Sequence, residues 1–293
     1  MKKVVVLTGA TGAGKTDLSL KIASFMTAEI INCDASQVRR ELNIGTAKTD
    51  YRHQSIPHHL FDIIGPCDKY SAADYQKDCR KTIDEVISRG HMPFLVGGTG
   101  LYISSALYSY DFSSHERDPQ FSLTLEEKSD DELFNMLKKY YPEEEIEKDK
   151  HNRRRIIRLL EKASLGEGLP PKKELLYDAL VFMLTMDRNI LYDRINQRTQ
   201  MMIDAGWCQE VHDLEQQGID VNHIPEIGYP EIAAVNHNQL SLAEAIDIIQ
   251  KETRHYAKRQ ETWFKNQLHA IPLIKDGCEE EKMKEMIEQW LQK

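Results

Sequence analysis

Apolar residues along this chain fall into short blocks separated by polar stretches of helical period. Residues 4–8 form a continuous apolar run that passes straight into a glycine-rich turn, and residues 15–26 then carry the pattern of a helix. A second apolar run, 29–33, ends at Asp34, and a short strand is expected at about 60–63. Ser71-Ala72-Ala73-Asp74 has the form of a capping box and predicts a helix to about Ser88. Gly90 ends it, and 92–96 reads as another buried strand closed by Gly97-Gly98. Strands alternating with helices at this spacing predict a parallel sheet covered on both faces.

From Tyr110 to about Leu176 that rhythm breaks. A polar loop, a helix near 131–140, the acidic run Glu143-Glu144-Glu145 and a basic helix over about 152–163 read as a mainly helical insertion. Gly166, Gly168, Pro170 and Pro171 mark the loop that closes it. A strand over 179–186 rejoins the sheet, and helices are expected from Asp187, from about Trp207 and from the capping box at Ser241 to about Lys265. Residues 271–274 fit a last strand, and the tail from Glu279 is an amphipathic helix. The expected organisation is an α/β core over 1–110 and 177–275, a helical insertion over 111–176 and a C-terminal helix over 276–293.

Composition narrows the class. The chain has 293 residues, 41% hydrophobic and 29% charged, which excludes a wholly disordered or low-complexity protein. No apolar run approaches the roughly 20 residues of a bilayer span, so no membrane association is expected. The five cysteines form no C-x-x-C pair, which argues against a disulfide framework or zinc site and for a reducing cytoplasm. A net charge of −9 argues against a protein coated in nucleic acid, though not against a local basic groove.

The turn after the first strand, Gly9-Ala10-Thr11-Gly12-Ala13-Gly14-Lys15-Thr16, fits the phosphate-binding loop of nucleotide-binding (for example ATP-binding) proteins. Its glycines let successive N–H groups curl around phosphate oxygens, and the following helix aims its positive end at the same anion. Lys15 would neutralise phosphate charge, and Thr16 would offer its hydroxyl to Mg²⁺. Asp34 ends the second strand at the sheet edge where ligands bind in open parallel sheets. There it would act as a general base or hold Mg²⁺ through water, with a structural cap as the alternative. This reading reaches a P-loop transferase and leaves a small-molecule kinase equally open.

Further strings decide more. Asp34-Ala35-Ser36-Gln37-Val38, Asn43-Ile44-Gly45-Thr46-Ala47-Lys48, Pro57-His58-His59-Leu60-Phe61-Asp62 and Tyr70-Ser71-Ala72-Ala73-Asp74-Tyr75 occur in order. Later come Val96-Gly97-Gly98-Thr99-Gly100-Leu101-Tyr102, Asn152-Arg153-Arg154-Arg155-Ile156-Ile157-Arg158, Ile227-Gly228-Tyr229 and the run from Tyr256 to Phe264. With the phosphate loop, this set resembles the tRNA dimethylallyltransferase (tRNA isopentenyltransferase) family over about residues 4–266.

The resemblance implies a P-loop NTPase-like fold and transfer of a dimethylallyl group from dimethylallyl diphosphate to N6 of the adenosine 3′ of the anticodon, tRNA position 37. It implies Mg²⁺ as cofactor and the tRNA anticodon stem-loop as partner; a cytoplasmic monomer is the separate expectation. Asp34 would take the N6 proton. Gly9 to Thr16 would absorb the charge of the leaving diphosphate, and Arg194 or Arg198, one helical turn apart, would reach the same group, Arg194 being favoured. Solvated salt bridges are the alternative for these two. Thr99 would contact the target nucleotide, compatibly with capping the next helix, and Gln37 with Ala35 and Ser36 would meet the flipped adenine. Arg154, Arg155, Ile156, Ile157 and Arg158 would contact tRNA, as would the basic stretch 251–265. Tyr256, Trp263 and Phe264 are either stacking platforms or core. Acceptance of a free adenine nucleotide is the competing transferase reading. The chain departs from the family's usual Asp-Ser-Met-Gln-Val-Tyr in having Ala35, Ser36 and Arg39, and its insertion is short and acidic.

Overall fold

A computed structural model describes residues 1–110, 112, 118–169 and 173–293. The expected loop at Pro170 and Pro171, and much of the polar stretch after Tyr110, lie outside them. The chain divides into two compact units, Met1–Ser109 with Leu175–Lys293, and Tyr110–Glu174.

The first unit is built on six parallel strands, β1 (Lys3–Gly9), β2 (Ala28–Asn32), β3 (His58–His59), β4 (Met92–Gly97), β5 (Asp178–Thr185) and β6 (Ile271–Ile274), in the spatial order β3-β2-β4-β1-β5-β6. β1 is central and six of its seven residues are buried, which explains its unbroken apolar run. Helices α1 (Lys15–Met26), α2 (Ala72–Ser88) and α3 (Gly100–Leu107) follow β1, β3 and β4. One core cluster joins Val4, Ile31, Tyr75, Ile83 and Phe264, and the opposite face joins Leu7, Ile22, Phe94 and Phe182. The Ser71 capping box forms as expected, with the Ser71 side chain accepting from the Asp74 N–H and the Asp74 carboxylate accepting from Ser71.

In the second unit lie α4 (Pro119–Glu126), α5 (Asp130–Leu137), α6 (Glu143–Ile146) and α7 (Arg153–Ser164) around their own core of Leu133, Leu137, Ile146, Ile156 and Leu160. Asn152 caps α7 by accepting from the Arg155 N–H at 3.2 Å. The chain then returns through β5 to α8 (Arg188–Asp204), α9 (Trp207–Gln216), α10 (Tyr229–Asn236), α11 (Leu242–Gln267) and α12 (Glu279–Leu291).

Two expectations change. The short strand lies at His58–His59 rather than 60–63, because Leu60 and Asp62 take φ of 61° and 54°, which no strand accommodates. Asp62 is drawn aside by Lys48 at 2.5 Å, Tyr51 at 2.8 Å and Arg52. The C-terminal amphipathic helix packs into the first unit, with Met283 and Ile287 buried in the same cluster as Ile22. Helices at α4, α6 and α10 were not expected. Of the paired histidines, His59 meets Glu29 at 2.5 Å and His58 meets the Ile56 carbonyl at 2.7 Å. Among the described residues no group of three His, Cys, Asp or Glu could hold a metal, and no helix is long and apolar enough to cross a membrane.

Candidate active site

The carboxyl ends of β1, β2 and β4 open on a cavity of about 480 Å³. Its floor is the phosphate loop between β1 and α1. Gly14 stands at the N-cap of α1 with φ of 93°, a left-handed conformation that a side chain would strain, so the loop can turn its amides toward the cavity. Lys15 folds back so that Nζ donates to the carbonyls of Gly9 and Ala10, each at 3.0 Å. Burial beneath the loop lowers its pKa to about 8, against the upward pull of Asp34 and with the added downward push of Arg198.

Asp34 lies on the same cavity, two residues past the end of β2. Its N–H donates to Asn32 Oδ1 at 3.0 Å, and its Oδ1 accepts from the Ser36 N–H at 3.0 Å. Oδ2 accepts no hydrogen bond from the described residues. The capping alternative is therefore satisfied by one oxygen, while the other has no donor among the described residues. Thr99 occupies the N-cap position of α3 without capping it. Its hydroxyl instead accepts from the Ala35 N–H at 2.9 Å.

Gln37 lines the cavity, but its amide group already donates to the carbonyl of Thr46 at 3.3 Å and more weakly to that of Ala47 at 3.5 Å. Both belong to the 43–48 loop, which Glu210 holds by accepting from the N–H groups of Asn43, Ile44 and Gly45. The Trp207 ring packs so tightly against this loop and the start of α10 that a Cβ on Gly45 or Gly228 would approach it to 2.3 and 2.0 Å. Those two motif glycines are thus required by the close approach of the ring.

Arg194 and Arg198 both turn onto the phosphate loop from α8. Arg194 Nε donates to the Gly12 carbonyl at 2.8 Å, and Arg198 Nη1 to Thr11 Oγ1 at 3.3 Å, with Nη2 reaching the Thr46 carbonyl at 3.3 Å. Among the described residues neither pairs with a carboxylate within hydrogen-bond distance, which speaks against the solvated salt-bridge alternative. Burial lowers the Arg198 pKa, opposed by Asp34.

Sequence reasoning passed over Gln260, which α11 places between the two halves of the site. Its Oε1 accepts from the Thr11 N–H at 2.9 Å and its Nε2 donates to the Gly98 carbonyl at 2.8 Å. Tyr256, one turn earlier, interacts with Thr99 and Gln260, and burial with the nearby Asp34 charge raises its pKa to about 12. Phe264 is fully buried and Trp263 packs against the same core, so these two are core rather than platforms. Gln260 sat inside a quoted motif, but one uncharged side chain on a basic helix carries no signal by itself.

In the second unit the basic helix divides. Arg153 pairs with Asp130 at 2.6 Å, Arg155 with Asp149 at 2.7 Å and Arg158 with Glu161 at 3.0 Å. Arg154 is exposed with no carboxylate partner among the described residues. Ile156 and Ile157 are buried in the unit's own core, which corrects their place among the tRNA-contacting side chains. In the first unit, Lys258 and Arg259 flank Trp263 and Thr262 along an open groove of about 590 Å³.

Hard oxygen donors at the cavity, the exposed Thr16 hydroxyl and the Asp34 carboxylate, fit Mg²⁺, which holds few protein ligands and keeps water and phosphate oxygens for the rest.

The sequence pattern of the family described as IPP transferase matches residues 37–267. The tRNA dimethylallyltransferase of Bacillus subtilis is 41% identical over 279 residues, covering 91% of this chain and 89% of the relative. That of Anoxybacillus flavithermus is 43% identical over 275 residues, covering 91% and 88%. The crystal structure of the full-length tRNA isopentenylpyrophosphate transferase of Bacillus halodurans superposes with a TM-score of 0.77 at 33% identity, over 100% of this chain and 97% of that one. A eukaryotic dimethylallyltransferase captured acting on tRNA superposes at 0.75 and 25% identity, over 94% and 74%. With its phosphate loop, its carboxylate at the end of β2 and a match over most of its length, the chain belongs to the IPP transferase family of tRNA dimethylallyltransferases.

Proposed function

We propose that this protein transfers a dimethylallyl group from dimethylallyl diphosphate to N6 of the adenosine 3′ of the anticodon in tRNA, releasing diphosphate. The observation that carries the reading is one cavity with two chemically opposed ends. Lys15, Arg194 and Arg198 gather on the phosphate loop, and Asp34 keeps one carboxylate oxygen unengaged.

An exocyclic amine is a weak nucleophile, so the barrier lies in breaking the bond from the allylic carbon to the diphosphate oxygen. As the N6 lone pair bonds to that carbon, the electron pair of the C–O bond passes to diphosphate. The loop amides with Lys15 and Arg194 stabilise the charge that develops there. N6 becomes strongly acidic as it bonds to carbon, and Asp34 Oδ2 accepts its proton. Thr16, with Asp34 through water, would hold Mg²⁺, which when bound supplies further neutralisation of diphosphate. Thr99 holds Ala35 beside Asp34, and Tyr256 contacts Thr99 in turn. Exposed Arg154, and Lys258 and Arg259 beside Trp263, supply cations for the RNA backbone. Five free cysteines suit a reducing cytoplasm, where a monomer is the working unit.

Labelled dimethylallyl diphosphate incubated with the protein and unmodified tRNA, with free AMP in parallel, tests the reading. Label is expected in tRNA alone, with diphosphate released in step. Label in AMP, or phosphate transfer from ATP to a small hydroxyl acceptor, would replace it with one of the competing activities.

A further inference from the structure

The phosphate cradle has one more neighbour, supplied by the last strand of the sheet. β6 runs parallel to β5 with Ile274 opposite Thr185, and the Lys275 N–H donates to the Thr185 carbonyl at 2.8 Å. Because β5 pairs with β1 on its other side, that register sets Lys275 at the carboxyl edge of the sheet, close to where β1 ends in the phosphate loop. Its side chain reaches across. A Cβ built on Gly14 would lie 2.5 Å from Lys275 Nζ and 3.4 Å from Arg194 Nη2, so both cations bracket the residue that begins α1.

No hydrogen bond explains that position. Among the described residues Lys275 Nζ has no carboxylate partner, and the acids beside it are engaged elsewhere. Asp276 accepts from Lys282 at 2.6 Å and from the Cys278 N–H at 3.0 Å, and Glu279 accepts from the Gly277 N–H at 2.7 Å. An ammonium drawn to the positive end of a helix, next to Lys15, Arg194 and Arg198, sits where only an anion makes it favourable. Asp17 and Asp34 on the cavity are two negative charges against the four positive ones of Lys15, Arg194, Arg198 and Lys275.

We propose that Lys275 is a diphosphate-binding residue, its ammonium closing the cradle over Gly14 and sharing the charge of the departing group. The proposal rests on the dimethylallyl-transfer reading for the identity of the anion. Lys275 lies beyond the family match, which ends at residue 267, and beyond the quoted motifs.

Calorimetric titration of inorganic diphosphate with Mg²⁺ into the full-length protein tests it, comparing the unaltered chain with Lys275→Ala and Lys275→Arg. In Lys275→Ala the Kd for diphosphate is expected to rise about tenfold, the effect of one lost charge-assisted contact. The salt dependence of binding should become shallower, and Lys275→Arg should restore both. The KM for the allylic donor should rise with the Kd while the KM for tRNA stays unchanged. A loss of β6 packing alone would move the melting temperature without moving the salt dependence. An unchanged diphosphate Kd and salt dependence in Lys275→Ala overturns the proposal, as does an unaltered protein that binds no diphosphate. An unaltered protein that binds diphosphate yet prenylates no tRNA overturns the functional reading alone, and the ratio of the two Kd values still decides Lys275.

Discussion

The Thr99 hydroxyl accepts the backbone N–H of Ala35 at 2.9 Å, so the turn after β4 fixes the residue beside the Asp34 carboxylate. Thr99 is thereby a positioning residue whatever else it touches. Replacing it by Val leaves that N–H unpartnered, at a cost of about 1–3 kcal/mol where Asp34 is held. Thr99→Val is expected to lower kcat while leaving the diphosphate Kd unchanged, and Thr99→Ser to restore it. Steady-state kinetics beside calorimetry separates the two effects.

Asp34→Ala removes the proton acceptor and leaves the phosphate loop whole. Turnover should fall by about 10²-fold or more, the range of a general base, with donor binding retained. Single-turnover prenylation measured beside donor affinity checks this, and undiminished turnover would remove Asp34 from the chemistry.

Lys15 gives the site a dependence on pH. Its ordinary pKa of 10.5 is lowered to about 8 by burial, so the anion-free protein loses this charge as pH rises through 8. Diphosphate binding should therefore weaken above about pH 8 and take up protons there, visible as a buffer-dependent heat. Stability moves the other way. The unfolded chain keeps its proton until 10.5, so between pH 8 and 10.5 this group makes the free protein more stable as pH rises. Lys15→Met should abolish both trends.

Arg39 and Glu226 form an ion pair at 3.1 Å with side chains only 11% and 9% exposed, and Glu226 Oε2 has no hydrogen-bond partner. Burial outweighs Arg39 and pushes the Glu226 carboxyl up to about 7. Between pH 4.5 and 7 the folded protein holds a proton that the unfolded chain has released, so this contribution to stability is lost as pH rises through that window. Glu226→Gln should gain stability relative to the unaltered protein from pH 4.5 to 7, read as the difference in melting temperature. Arg39 keeps its bonds to the carbonyls of Pro66 and Asp68, each at 2.9 Å, in either case.

Among the described residues, Arg154 is the cation on α7 without a carboxylate partner. Arg154→Ala is expected to weaken tRNA binding and to lower the salt slope by about one, whereas Arg153→Ala, already paired with Asp130 and Glu126, should change the slope little. Binding isotherms at several salt concentrations discriminate the two.

Much of this architecture is legible in the sequence because it is locally encoded. The apolar run of β1, the capping boxes at Ser71 and Ser241 and the phosphate loop each announce themselves within a few residues. The site is less legible where it depends on residues far apart. Asp34 and the loop lysine come from one motif each, but the Thr99–Ala35 bond, the Gln260 bridge and the approach of Lys275 join elements separated by 64, 162 and more residues. The strand near residue 60 was misplaced because Asp62 answers to three partners rather than to its neighbours in the chain.

Gln260 binds the loop that grips the leaving group with one end of its amide and the turn that faces the acceptor base with the other. Movement of either on ligand exchange must pass through the same planar group. On the proposed function, any coupling this bridge carries between diphosphate and RNA would be equal in both directions, so Gln260→Ala is expected to change the diphosphate Kd measured with tRNA bound relative to that without it.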